Sequence, residues 1–193
     1  MPVVTALRER PRDRVEIDLD GRSWRLVPAD AVVRAGLCVG RTLDRETARA
    51  LGRELRRSAA LGVALRALRY GDYSRSRLEA RLASRGARPD TRDAALEALE
   101  QAGLVDDARV ASNRAQTLAG RGYGDAAIRF SLAGEGLAAE IVAEALAGLE
   151  PEAERARGQV ERRGRGPKTM RWLAARGFDE AVLEAADGFA DEA

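Results

Sequence analysis

The sequence predicts a mainly helical protein: three tandem three-helix repeats forming an elongated curved array, preceded by a small N-terminal β-hairpin and a helix. Three observations carry this prediction. The 193 residues are 45% apolar, only 4% aromatic and 33% charged, a balance that suits helices with one buried and one solvated face. From about Ser58 onward the apolar residues recur every three or four positions, which is the period of a helix. The pattern then repeats without a gap, because Tyr73, Leu78, Leu82, Gly86, Leu96 and Leu99 return fifty residues later as Tyr123, Ile128, Leu132, Gly136, Leu146 and Leu149. A fixed period of this kind marks supersecondary units that bury their faces partly against their neighbours.

The N-terminal segment, residues 1–57, has a different period. Val15, Ile17 and Leu19 alternate with charged residues, Asp20-Gly21 supplies a two-residue turn, and Trp24 and Leu26 continue on a second strand. Val3, Val4 and Leu7 offer a third. Asp44 then reads as the N-cap of a helix running to about Arg57. A sheet this small needs support from the helices packed against it.

Repeat 1 is assigned to residues 58–105, with apolar stripes Leu61, Leu65 and Leu68, then Leu78 and Leu82, then Leu96 and Leu99. Ser74 suits the N-cap of its middle helix, Tyr73 can staple that helix through Leu78, Gly86 ends it, and Pro89-Asp90 opens the next. Repeat 2, residues 106–150, uses Leu118, then Ile128 and Leu132, then Ile141, Val142, Leu146 and Leu149, with Gly136 as its terminator. Repeat 3, residues 151–193, is shortened: Leu173, Gly177, Val182 and Leu183 follow Leu132, Gly136, Ile141 and Val142 by forty-one residues, and its middle helix starts near Pro167.

Composition narrows the function classes. The net charge is only +2, but residues 1–85 carry 19 basic and 11 acidic side chains, whereas residues 86–193 carry 14 and 20. A basic front half is attracted to polyanions or acidic protein surfaces. Histidine is absent, which removes the commonest general base and metal ligand. The single cysteine, Cys38, has no partner for a disulfide and reads as a small core residue between Leu37 and Val39. With no membrane-length apolar run and no signal peptide, the expectation is a soluble, cytoplasmic protein.

Motifs with catalytic overtones have plainer explanations. Gly164-Arg165-Gly166-Pro167-Lys168-Thr169 places glycines before a lysine and a threonine. Pro167 nevertheless removes an amide that a phosphate loop needs, and no strand precedes the segment, so an interhelical loop with Pro167 in the first helical turn is expected. Asp106 and Asp107 stand where carboxylates cap a helix, with no third ligand beside them. No serine or cysteine has a credible base, and no dinucleotide fingerprint follows a strand. The expectation is a protein without enzymatic activity, cofactor or metal.

The remaining candidates are cationic. Arg75, Arg77, Arg81 and Arg85 decorate the first middle helix; Arg121 and Arg129 attend the second; Arg162, Arg163, Arg165, Lys168, Arg171 and Arg176 surround the third. Their recurrence near one element of each repeat suits a discontinuous basic track, whose phosphate contacts position a partner without reading sequence. A solvated face balanced by Asp72 and Glu79 explains the same residues with no partner at all.

Several motifs, in order, resemble one family. Tyr73-Ser74 precedes Arg77-Leu78-Glu79 and Leu82; Gly103-Leu104-Val105-Asp106-Asp107-Ala108-Arg109-Val110-Ala111 comes next; Arg121-Gly122-Tyr123-Gly124 leads to Ile128-Arg129 and Leu132; Leu173-Ala174-Ala175-Arg176-Gly177-Phe178 closes the series. From about residue 58 to the end these resemble the motifs of the RecX family of bacterial RecA regulators, and the N-terminal segment resembles an extension that many members carry. Val110 stands where that family usually has an aromatic residue, and Ala127 where a basic one commonly precedes the isoleucine.

The resemblance implies a tandem three-helix-repeat protein that binds the RecA nucleoprotein filament. It also implies restraint of the filament's ATPase, strand-exchange and co-protease activities, and hence of homologous recombination and the SOS response. Some members also touch single-stranded or duplex DNA. In this frame Tyr73, Gly86, Asp106, Asp107, Tyr123, Gly136 and Gly177 are structural motif residues. A competing reading is a helical DNA-binding adaptor whose repeats act as helix-turn-helix-like modules; its third helices carry Leu96, Glu97, Leu99 and Glu100, a poor set for reading bases.

Overall fold

The computed structural model describes residues 1–188. Strands β1 (Val4–Arg10), β2 (Arg14–Leu19) and β3 (Arg22–Pro28) form an antiparallel sheet in the order β1-β2-β3. Asp20 and Gly21 both have positive φ, the geometry that lets a two-residue turn follow the strand twist. Val15 pairs with Val27 and Ile17 with Leu7 and Arg25. The sheet's inner face, Val4, Val15, Ile17 and Val27, packs with Ala31 and Val32 of helix α1 (Ala29–Arg34) and with Leu51. Trp24 and Leu26 lie on the open face.

Leu51 belongs to α2 (Arg45–Leu68), which Asp44 caps by accepting the Thr47 amide at 2.7 Å. One 24-residue helix therefore replaces the two expected on either side of Arg57. Neither Gly52 nor Gly62 ends it, because a glycine in a helix costs only about 1 kcal/mol and tertiary packing outweighs that. Its buried face also differs from expectation. Ala60, Ala64 and Ala67 are buried, whereas Leu65 is 43% exposed, since small side chains let a neighbouring helix approach closely. Cys38 is exposed rather than a core residue. It sits in the turn between Gly36 and Gly40, both at positive φ, where Leu37 alone points inward.

Helices α3 (Arg75–Ser84) and α4 (Pro89–Gln101) follow, then α5 (Asp107–Gly120), α6 (Asp125–Gly134), α7 (Ala139–Ala147), α8 (Glu152–Arg163), α9 (Pro167–Ala174) and α10 (Glu180–Gly188). The chain divides into two compact units: residues 1–71 with 78–104, and residues 72–77 with those from 105 onward. In the first unit the sheet and α1 pack on the N-terminal part of α2, and α2 packs on α4. Among the described residues of the second unit, two hydrophobic clusters stand out. Ala111, Ala115, Ile128, Leu132, Val142 and Leu146 join α5, α6 and α7, while Ala156, Val160, Leu173, Phe178 and Ala186 join α8, α9 and α10.

Gly86, Gly136 and Gly177, which follow the three middle helices α3, α6 and α9, share a φ of 72–78°. Each stops its helix in the left-handed conformation that lets the next amides reach back to free carbonyls. Pro167 opens α9 as its first residue, and Thr169 Oγ1 donates to the Gly164 carbonyl at 2.7 Å. The glycine-rich segment is thus an interhelical loop. No helix among the described residues is long and apolar enough to cross a membrane.

Candidate interaction surface

The second unit contains two junctions built on one plan, in which the N-terminus of one middle helix sits on the C-terminus of the next. A helix N-terminus exposes unpaired N–H groups and a helix C-terminus unpaired carbonyls, so the two ends are complementary in hydrogen bonding and in dipole. At the first junction Ser74 Oγ, fully buried, accepts the Arg77 amide at 3.2 Å and donates to the Glu135 carbonyl at 2.7 Å. The Arg75 amide donates to Asp107 Oδ1 at 2.8 Å. Asp106 caps its own helix through the Arg109 amide at 2.9 Å. The adjacent aspartates are therefore two caps on two different helices.

At the second junction the Gly124 amide donates to the Arg176 carbonyl at 2.9 Å and the Ala126 amide to the Gly177 carbonyl at 3.2 Å. The Asp125 amide donates to Glu152 Oε1 at 2.6 Å, as the Arg75 amide does to Asp107. Asp107 and Glu152 are the first residues of α5 and α8, in each case two helices after the one whose N-terminus they cap. Close approach requires the glycines: a Cβ on Gly136 would meet Ser76, and one on Gly177 would lie 2.7 Å from the Ala127 amide. Ala127 is small where it faces Gly177.

Side chains lock both junctions. Glu135, 8% exposed, accepts Arg77 Nη1 on both carboxylate oxygens at 2.9 Å and Arg114 Nη2 at 2.8 Å. Arg155, with a side chain 8% exposed, donates to the carbonyls of Tyr123 and Glu150 at 2.8 and 2.9 Å and pairs with Asp125. A ladder of alternating guanidinium and aromatic groups flanks it. Arg163 lies 3.5 Å from the Trp172 ring centroid; Arg176 lies 4.7 Å from Trp172 and 4.5 Å from Tyr123. Arg176 also donates to the Arg121 carbonyl at 3.0 Å. Such stacks hold planar groups face to face.

The cationic candidates therefore separate into two groups. Arg77, Arg163 and Arg176 hold the protein's own structure together, and Arg75 opens α3 at the junction. Arg85, Arg121, Arg129, Arg162, Arg165, Lys168 and Arg171 are exposed, and Arg162 folds back onto the Gly158 carbonyl at 3.0 Å. Arg81 is exposed as well and makes an interaction of its own. Tyr73 and Tyr123 are both half-buried, Tyr123 against the core of α5, α6 and α7.

Several residues escaped the sequence reading. Glu135, Arg114 and Arg155 looked like ordinary surface charges, because nothing local distinguishes a buried charge from a solvated one. Gly124 was legible in principle, since it stands fifty residues after Ser74. Phe130, 84% exposed on α6 beside Arg129, was legible too: a helical projection sets it opposite Ile128 and Leu132.

No protein-family model matches the chain. Regulatory protein RecX of Xanthomonas oryzae pv. oryzae is 35% identical over 156 residues, spanning 76% of this chain and 98% of that protein. Regulatory protein RecX of Chromohalobacter salexigens is 40% identical over 125 residues, spanning 60% of this chain and 82% of that one. The crystal structure of a regulatory protein RecX superposes with a TM-score of 0.84 at 20% identity, covering 97% of this chain and all of the other. RecX from Lactobacillus salivarius gives 0.62 at 19% identity over 70% of this chain and 97% of the other. The first of those structures shares the fold over nearly all of this chain and the second over 70% of it, and the sequence relatives establish descent: the chain belongs to the RecX family of regulatory proteins.

Proposed function

We propose that this protein regulates the RecA recombinase without catalysing a reaction. It binds the RecA nucleoprotein filament in the cytoplasm and inhibits ATP hydrolysis, strand exchange and co-protease activity, lowering homologous recombination and the SOS response. The observation that carries this reading is the 35% identity extending over 98% of a protein named regulatory protein RecX. The junctions support it physically. A binder shifts a filament's state only by preferring one subunit arrangement, and helix ends locked by Ser74, Asp107, Glu135, Glu152 and Arg155 make a body stiff enough to express such a preference.

Exposed cations supply the contact chemistry. Arg129 with Phe130 on α6, and Lys168 with Arg171 on α9, combine charge with solvent access and suit acidic filament surfaces or the bound strand. The adaptor alternative is less favoured, because Glu97 and Glu100 of α4 and Glu140 and Glu144 of α7 face solvent, where a groove-reading helix needs donors.

The test is recombinase ATPase on single-stranded DNA as this protein is titrated in. Inhibition at or below one protein per recombinase subunit is expected, and unchanged hydrolysis at equal ratio overturns the proposal. A pull-down separates the alternative, since an adaptor binds bare duplex and a filament regulator needs the recombinase.

A further inference from the structure

The first unit carries a groove that shares no residue with either junction. Its centre is a hollow of about 200 Å³. The floor is apolar: Ala60 and Leu82 are buried, Val63 and Ala87 complete it, and the exposed Ala59 stands at its rim. Three guanidinium groups rim it, those of Arg56, Arg85 and Arg88. A second hollow adjoins it through Arg56 and is lined by Arg49, Arg53 and Asp90. Positions 49, 53, 56, 60 and 63 follow a helical three-and-four spacing, so both hollows lie along one face of α2. Fourteen steps at a 1.5 Å rise make that face about 21 Å long, the reach of roughly six extended residues.

The charge balance is one-sided. Five arginines and one carboxylate line the two hollows, and Asp90 already accepts the Thr91 amide at 2.9 Å. Among the described residues none of the five guanidinium groups is paired with a carboxylate. The N-terminus of the 13-residue α4, capped by Arg88 without a side-chain hydrogen bond, adds its positive end to the same rim.

We propose that this groove docks an acidic peptide segment of a protein partner through one apolar anchor side chain, with flanking carboxylates on Arg56, Arg85 and Arg88. The hollow admits one leucine- or phenylalanine-sized group and is small for a drug-sized ligand. A single strand of nucleic acid fits the charge but not the lining. Sites for unpaired strands stack bases on aromatic rings, and among the described residues no aromatic side chain lines either hollow. Planar guanidinium forks instead match carboxylates two oxygens at a time. The proposal concerns the class of segment bound and does not depend on the filament reading.

The experiment uses the full chain and a fluorescein-labelled eight-residue peptide, acidic except for a central leucine-phenylalanine pair, followed by fluorescence anisotropy. Saturable binding is expected, with loss of about tenfold or more in affinity for Arg56→Glu, for Ala59→Trp, which fills the hollow from its rim, and for a peptide whose central pair is serine. Arg22→Glu, an exposed position at the start of β3, should leave binding unchanged. Circular dichroism of each variant checks that the helices are intact, and Arg88→Glu stands in for any variant that fails to fold. Absence of saturable binding by the wild-type chain overturns the proposal. So does an oligothymidylate that displaces the peptide while Ala59→Trp has no effect, the result expected of a nucleic-acid track.

Discussion

Gly124→Ala should destabilise the protein by about 3 kcal/mol, although nothing in its backbone conformation excludes alanine. Gly124 has φ −80° and ψ 169°, ordinary extended values. The cost arises from contact instead. A Cβ there would lie well under 3.0 Å from the Gly177 carbonyl and the Phe178 amide, which are backbone atoms that cannot rotate away. The junction must open, stretching the bonds from the Gly124 and Ala126 amides to the Arg176 and Gly177 carbonyls, now 2.9 and 3.2 Å. Each bond is worth about 1 kcal/mol net, and overpacking adds about 1–3 kcal/mol. At about 2–4 °C per kcal/mol for a chain of this size, the melting temperature falls by roughly 6–12 °C. Gly134→Ala is the internal control: it ends the same helix, and a Cβ there meets nothing within 4 Å. It should gain about 0.5 kcal/mol from helix propensity. Urea unfolding of both variants, followed by circular dichroism, measures the difference. A Gly124→Ala midpoint equal to wild type, or equal losses from both, would refute the junction account.

Other perturbations separate structure from contact. Arg155→Ala leaves the Asp125 carboxylate without its partner and frees two carbonyls; Asp125 is about a third exposed, so the loss should sit near the low end for a buried pair, about 3 kcal/mol by denaturant midpoint. Arg77→Glu places a second carboxylate beside Glu135 and should lower the melting temperature, whereas Arg129→Glu should leave it unchanged. The double variant Lys168→Glu/Arg171→Glu should keep the wild-type melting temperature yet weaken ATPase inhibition at least several-fold; full inhibition would remove α9 from the proposed contact face. The Thr47 amide holds the Asp44 carboxyl below its ordinary range, and the Ser23 hydroxyl and Arg10 do the same for Glu16. Both are therefore stabilising above the ordinary carboxylate range, and that contribution is lost as pH falls through their lowered values. Asp44→Asn should flatten the acid limb of the stability profile, measured by thermal melts between neutral and acid pH.

Local signals carried far in this chain because its elements announce themselves. Asp44, Ser74 and Asp106 cap the helices they precede, since a short polar side chain before an apolar periodic run has one favourable use. Gly86, Gly136 and Gly177 end the helices they follow, for the same kind of reason. Where the reading failed, competition between signals was involved. The break expected near Arg57 relied on a change of composition, and helix α2 continues because nothing there costs enough to stop it. Leu65 was set in a core stripe on its hydrophobicity, and three alanines took that place because a close helix neighbour selects size over apolar area.

Helix type, the capped and glycine-terminated helix ends, the absence of histidine and the family resemblance were determined by the sequence alone, because each depends on residues within a few positions or on their order. Tertiary structure decided which charges are available. Arg77 and Arg129 are both charged residues of amphipathic helices with nothing local to tell them apart, yet Arg77 is bound to Glu135, fifty-eight residues away, while Arg129 is left in solvent. Periodicity names the face a side chain occupies, but a salt bridge, a shared carbonyl or a missing Cβ depends on what the fold brings opposite that face. The basic track expected along the middle helices thus became, in part, the fastening of the junctions themselves.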